Sequence, residues 1–253
     1  MDPKSSLDKV LQGFAPISLA EMDNVQLLSR TDTKYVFAHK DLMNLLASLQ
    51  PHYRCLEVDG ERGSTYRSLY FDTPDNKSYF EHHNGRTFRN KVRFREYVKS
   101  GLCYLEVKRK TGRGDTDKAR RKVASIPAEM SPEQMEYVGS KSTMTGPFEA
   151  KLWNTFTRIT LVGKQLPERL TIDHDLRFSN DRGETTLEGI CIAELKQARA
   201  DRTSPFAMAM RERGYRPAGM SKYCVGMLLL DPQLKQNTFK EVLLQLQRLR
   251  RAA

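Results

Sequence analysis

Residues 91–110 read KVRFREYVKS GLCYLEVKRK, two stretches of alternation joined at Lys99, Ser100 and Gly101. In a strand, residues two apart share a face. Lys91, Arg93 and Arg95 therefore project together, with Val92 and Phe94 on the other face. In the second stretch Glu106, Lys108 and Lys110 stand opposite Leu105 and Val107. The two stretches read as a hairpin. A turn at Thr111 to Asp115 leads into a third strand, Asp117 to Val123, where Lys118, Arg120 and Lys122 repeat the pattern.

Working outward, the same alternation recurs in Arg30, Asp32 and Lys34 near the start. It recurs again in Arg169, Thr171, Asp173 and Asp175, and in Glu194 and Lys196. Lys and Arg are 42 of the 253 residues. About one all-basic triplet at this spacing is expected by chance, so a single instance says little. Six strands sharing the pattern say more. A sheet with one wet face would carry such charge, but with Thr, Ser and Gln scattered through it. Like charges opposite one another on neighbouring strands repel unless an anion lies between them. A barrel with an apolar outside covered by helices and a basic lumen satisfies both facts.

The remaining pattern is mixed α+β, with strands joined by short turns rather than in βαβ units. A helix is expected over His39–Leu49, and a strand over Tyr66–Asp72 followed by a short helix opening at Thr73, Pro74 and Asp75. Pro147–Arg158 reads as helical; Arg169–Phe178 and Gly189–Lys196 read as strands. Further helices are expected at Ser204–Arg213, at Ser221–Leu230 and from about Leu234 to the end, the last packed on the barrel with a solvated basic end.

The charge balance is 42 basic against 31 acidic residues, a formal +11, which points to a polyanionic partner. No apolar run approaches the roughly 18 residues of a membrane span. The N-terminus has no signal-peptide pattern, and Cys55, Cys103, Cys191 and Cys224 are scattered, which suits buried thiols in a cytoplasmic protein. A basic lumen suits phosphoryl transfer, which needs positioning and charge neutralisation more than covalent help. Glu106, Asp173 and Glu194 are candidates to hold Mg²⁺ or Mn²⁺, with phosphates and water completing the shell. If the acceptor is itself a phosphate, no Ser, Cys or His nucleophile is required. Gly139 to Thr143 lacks the spacing of a nucleotide phosphate loop. His82 and His83 read as surface residues; His39, His52 and His174 show no metal-ligand spacing, and His174 is expected to point out of the lumen. No nucleic-acid-binding motif is present, so nucleic acid is not an expected partner.

Seven segments in order carry a resemblance. They are Arg30-x-Asp32-x-Lys34-Tyr35, the strand end Tyr70 to Thr73, Lys91-x-Arg93-x-Arg95-x-Tyr97, Glu106-x-Lys108-x-Lys110, Arg169-x-Thr171-x-Asp173-x-Asp175, Glu194-Leu195-Lys196 and Ser221-Lys222-Tyr223. From about Ser18 to Asp231 the chain resembles the VTC domain, the polyphosphate polymerase branch of the CYTH-like triphosphate tunnel metalloenzymes. The resemblance implies one domain over 1–253, with its core at about 18–231 and a C-terminal helix at 234–253. It implies an eight-stranded antiparallel β-barrel, the triphosphate tunnel, with surrounding helices. It implies a transferase that uses Mn²⁺ or Mg²⁺ to move the γ-phosphate of ATP onto inorganic polyphosphate. Lys34, Arg93, Arg95, Arg169 and Lys222 would be the catalytic residues. Arg30, Lys91, Lys108, Lys110, Lys118 and Arg120 would bind substrate phosphates, with Arg177 and Lys196; Glu194 would hold the metal, with Glu106 and Asp173. Any membrane partner would be a separate protein. Relatives that hydrolyse triphosphates begin with an E-x-E-x-K strand, and Arg30 replaces the first carboxylate, which favours a polymerase. A triphosphatase acting on short polyphosphates or nucleotides, and a non-catalytic polyphosphate-binding module, are the alternatives.

Overall fold

Alternating side chains become alternating burial along a long antiparallel sheet. The computed structural model describes residues 3–23, 31–112 and 116–251. The strands are β1 (Ala15–Ile17), β2 (Thr31–Ala38), β3 (Tyr53–Leu56), β4 (Ser64–Asp72), β5 (Arg89–Tyr97) and β6 (Leu102–Lys110). They continue with β7 (Thr116–Val123), β8 (Glu149–Gly163), β9 (Glu168–Asn180), β10 (Gly183–Thr186) and β11 (Ile190–Gln197). The helices are α1 (Pro3–Gln12), α2 (Leu19–Asp23), α3 (Leu42–Leu49), α4 (Lys77–His83), α5 (Pro132–Lys141), α6 (Pro205–Glu212), α7 (Lys222–Leu230) and α8 (Lys240–Arg251).

Eight strands follow the path β2-β11-β9-β8-β4-β5-β6-β7, each antiparallel to its neighbour, with β1, β3 and β10 attached at the side. The expected strand count and direction are present, and the class is α+β. The barrel differs from the expectation in one respect: among the described residues β2 and β7 do not pair, so the sheet curls into a tunnel with an open seam. Both strands bordering the seam carry lysines, Lys34 on one and Lys118 and Lys122 on the other, and charged edges resist zipping together.

The outer face of the hairpin region is apolar and covered. Val92, Phe94, Leu105 and Val107 are buried against Val138 of α5 and the flanking Met130 and Met144. That helix is held at its start by a reciprocal cap, in which Ser131 Oγ accepts from the Gln134 N–H and the Gln134 side chain accepts from the Ser131 N–H. On another side, Leu42, Leu45, Leu46 and Leu49 of α3 pack with Phe206 and Met210 of α6 over Ile159, Leu170 and Ile172 of the sheet. A third cluster sets α7 and α8 against β8 and β9. Gly226 of α7 sits where a Cβ would fall 2.5 Å from Phe178 and 2.6 Å from Leu152. This close approach seats the helix on the sheet and carries its first residue, Lys222, to the tunnel.

Two expectations about elements are corrected. Residues 149–163 form the 15-residue strand β8 rather than the helix expected over Pro147–Arg158. Phe148, Leu152 and Phe156 have helical spacing, but Leu152, Asn154 and Phe156 also alternate with Trp153, Thr155 and Thr157. Pairing with β4 on one side and β9 on the other decides between the two periods. At the C-terminus, residues 237–239 form a single 3₁₀ turn, and the helix starts at Lys240 rather than Leu234. The four cysteines are buried and free. No helix among the described residues is long and apolar enough to cross a membrane.

Candidate functional site

The inward positions of the curled sheet meet in one cavity of about 530 Å³, lined by eleven Lys and Arg side chains against four carboxylates. Strand register arranges them in rows. Lys91 of β5 stands opposite Lys108 of β6, which stands opposite Lys118 of β7, so three lysines lie abreast across three strands. The next row along is mixed, Arg93–Glu106–Arg120. On the opposite wall Lys34 faces Glu194, and Lys196 lies between Asp32 and Arg169.

The lysine row is electrostatically unfavourable when empty. Burial, with Lys34 and Lys108 as charged neighbours, brings Lys91 down to about 7. Burial, with Lys118 and Lys34, brings Lys108 down to about 8. Burial disfavours the ammonium form and like charges add to it. Lys91 Nζ also donates to Ser221 Oγ at 2.8 Å, which ties the row to the first turn of α7. An anion entering this row would meet donors already in place.

Each lumenal carboxylate has cationic company. Glu106 accepts from Arg93 Nε at 2.7 Å and lies 2.6 Å from its Nη2; burial opposes its charge, but Arg93 outweighs burial and pulls it down to about 2. Arg93 also donates to the Tyr70 hydroxyl at 3.2 Å. Asp173 is gripped by Arg158 through both oxygens, at 2.6 and 2.8 Å, and also accepts from Lys222. Its buried carboxyl is held well below the usual range by those two cations. Glu194 pairs with Lys196 and lies 3.9 Å from Lys34; burial opposes its charge, and the two lysines hold it well below the usual range.

Lys196 Nζ also lies 3.4 Å from Asp32 Oδ2, so one ammonium sits between the carboxylates of Asp32 and Glu194. That position attracts a cation, and its hard oxygen donors match Mg²⁺ or Mn²⁺. Among the described residues the cavity holds no three ligand-type side chains with ligand atoms within 4.8 Å of one another. A divalent ion there fits only with phosphate oxygens and water completing its shell.

Of the residues expected to act together, Lys34, Arg93, Arg95, Arg169 and Lys222 line the cavity, as do Lys91, Lys108, Lys118, Arg120 and Lys196. The three candidate metal carboxylates, Glu106, Asp173 and Glu194, line it too. Lys110 is half-buried at the end of β6, beyond the lining residues. Arg30 lies outside the described residues. Arg177 is a correction: its side chain is 64% exposed and paired with Glu184 on β10, away from the cavity. Asp175 is another, for it takes a φ of 53° and its carboxylate turns to His174. The register between β8 and β9 shifts at Thr155/Thr157, which breaks the alternation beyond Asp173. His83 is buried rather than on the surface, against Phe239. Burial and Lys91 drive the neighbouring His82 down to about 2.

Sequence reasoning missed Arg158, because it lay in the segment read as helix, and it gave no role to Tyr70, Ser221 and Tyr223, which it quoted only within the matching segments. The signal for Arg158 was its place in a run rich in Thr, Ile and Val, a strand composition.

A family model described as the VTC domain matches residues 29–231. A comparison with curated proteins finds no match. Among solved structures, the chain is similar to a candidate adenylyl cyclase from Hippeastrum described as having a dominant triphosphatase activity. The identity is 17% and the TM-score 0.49, over 77% of this chain and 93% of that one. It is also similar to a candidate adenylate cyclase from Bacillus halodurans, at 12% identity and a TM-score of 0.48, over 76% and 94% of the two chains.

Proposed function

Because the chain belongs to the VTC domain family, we propose that its tunnel binds linear phosphate chains and transfers the γ-phosphate of ATP onto the end of inorganic polyphosphate. The observation that carries this reading is the in-register row Lys91–Lys108–Lys118 facing into a cavity of about 530 Å³. Three ammonium groups abreast are stabilised by a polyanion and by little else of that shape.

The acceptor oxygen of a polyphosphate end is already anionic, so no side chain has to remove a proton. That oxygen attacks the γ-phosphorus, the bond from phosphorus to the β-bridging oxygen breaks, and ADP leaves with the electron pair. The lysine row and Arg169 hold the phosphates in line. Arg93 presents a fork whose Nε and Nη2 already grip a carboxylate, the geometry that suits phosphate oxygens. Arg158 fixes Asp173, and Asp173 in turn holds the Lys222 ammonium at the cavity wall. A divalent ion between Asp32, Glu194 and the substrate would neutralise charge on the phosphate oxygens.

The test is to incubate the purified protein with ATP, Mn²⁺ and a short polyphosphate primer and to resolve the products. Elongation of the primer faster than release of orthophosphate is the expected result. Mainly orthophosphate would replace the proposal with the triphosphatase reading. Tight primer binding without turnover would replace it with the binding-module reading.

A further inference from the structure

Beside the tunnel wall, but not lining it, three ligand-type side chains come together from distant parts of the chain. His174 follows Asp173 on β9, and its ring is buried. His39 follows the last residue of β2, and its N–H is bonded to the Gly189 carbonyl at 2.8 Å, just before β11 begins. Asp175 carries its carboxylate 2.9 Å from His174 Nδ1. The two imidazole centroids are 6.1 Å apart, and one ligand atom from each of the three residues lies within 4.8 Å of the others. The absence of metal-ligand spacing in the sequence concealed this grouping, because His39 and His174 meet only through the sheet.

His174 is an unusual residue for its surroundings. It is 4% exposed; its Nδ1 faces the Asp175 carboxylate at 2.9 Å, and its Nε2 has no hydrogen-bond partner. Buried imidazole nitrogens are ordinarily satisfied. Here the neighbours aimed at the ring are a second imidazole and a carboxylate, the donors that bind a transition ion. The Asp175 side chain is 66% exposed, so the group is reachable from solvent.

We propose that His39, His174 and Asp175 form a binding site for a first-row transition ion such as Zn²⁺, distinct from the tunnel carboxylates. Two nitrogens and one oxygen favour Zn²⁺, Ni²⁺ or Co²⁺ over Mg²⁺, and three protein ligands leave a position for water. The ion ties the end of β2 to β9 across β11, which lies between them in the sheet. Those three strands carry Asp32, Lys34, Asp173, Glu194 and Lys196 to the tunnel. Occupancy therefore braces one tunnel wall and stabilises the folded state.

The full chain and its Glu194→Gln, His39→Ala and Asp175→Asn variants are titrated with Zn²⁺ against a chromophoric chelator, with Co²⁺ absorption as a second probe and Tm alongside. Asn accepts the left-handed backbone of position 175, so that variant tests the ligand without straining the turn. Wild type and Glu194→Gln should each bind one Zn²⁺, resist excess Mg²⁺ and gain Tm. His39→Ala and Asp175→Asn should lose affinity by at least about tenfold and lose the Tm gain. Asp175→Asn should keep the affinity of wild type for tripolyphosphate. Absence of saturable Zn²⁺ binding, unaltered binding in both variants, or binding abolished by Glu194→Gln alone would each overturn the site.

Discussion

Arg158 and Asp173 face each other across β8 and β9 in direct register and close a two-point contact, Nε to Oδ1 at 2.6 Å and Nη2 to Oδ2 at 2.8 Å. The Asp173 side chain is 4% exposed and also accepts from Lys222. It is the counter-charge to two cations in the wall. Asp173→Asn leaves both cations without a counter-charge, and breaking a buried pair from one side costs about 3–5 kcal/mol. Tm should fall by roughly 6–20 °C for a chain of this size, and added tripolyphosphate should restore part of the loss. A variant whose Tm stays within about 2 °C of wild type would remove Asp173 from this role.

That pair also marks where the sequence stopped being legible. Local alternation exposed β5, β6 and β7 and most of the basic residues of the tunnel, because a two-residue period needs no partner to be seen. β8 was different: Phe148, Leu152 and Phe156 fit a helical period, and the choice rests on pairing with β4 and β9. Reading it as helix hid Arg158. The shift at Thr155/Thr157 was equally invisible, so Asp175 and Arg177 were expected inside the tunnel. By contrast, α5 was readable and overlooked, since Ser131, Pro132 and Gln134 spell a capped helix start. Its role, covering Val92 and Leu105, depends on the folded sheet.

Arg93 and Arg95 are neighbours on one face but are not equivalent. Arg93 is paired with Glu106, whereas Arg95 lies 3.9 Å from the same carboxylate, and burial and Arg93 push its guanidinium down. Arg93→Met should therefore lower Tm by leaving Glu106 short of a partner, and Arg95→Met should leave Tm unchanged or raise it. Both should weaken tripolyphosphate binding, by about tenfold or more for each lost charge-assisted contact. Equal Tm changes for the two variants would contradict this asymmetry.

Glu194 is the carboxylate flanked by Lys196 and, more distantly, Lys34. Glu194→Gln preserves shape and removes the charge that shares a cation with Asp32. Turnover with ATP and Mn²⁺ should fall by about 100-fold or more, as for loss of a preorganised electrostatic group, while the far-ultraviolet circular dichroism stays as in wild type. Turnover close to that of wild type would exclude Glu194 from the metal role.

The lysine row sets a pH dependence whose sign can be worked out. Burial and neighbouring lysines bring Lys91 and Lys108 down to about 7 and about 8 in the empty protein. In the unfolded chain both hold their protons to about pH 10.4. Between these limits the unfolded state binds more protons, so the empty protein should gain stability as pH rises from about 7 to about 10. Polyphosphate reverses the balance, because its charge favours the ammonium forms and draws protons in. Affinity is then full where both lysines are already charged, at about pH 6, and declines as pH rises through 7 and 8, by up to about tenfold per unit for each proton taken up. Calorimetric titration with tripolyphosphate from about pH 6 to about pH 9, in two buffers of different ionisation heat, measures both the affinity and the protons. The ligand's own ionisation contributes equally to a Lys91→Arg variant, whose guanidinium stays charged throughout. That variant should show a flatter profile and a smaller proton uptake than wild type; parallel profiles would mean that Lys91 carries no depressed ionisation and that the row is not the phosphate site.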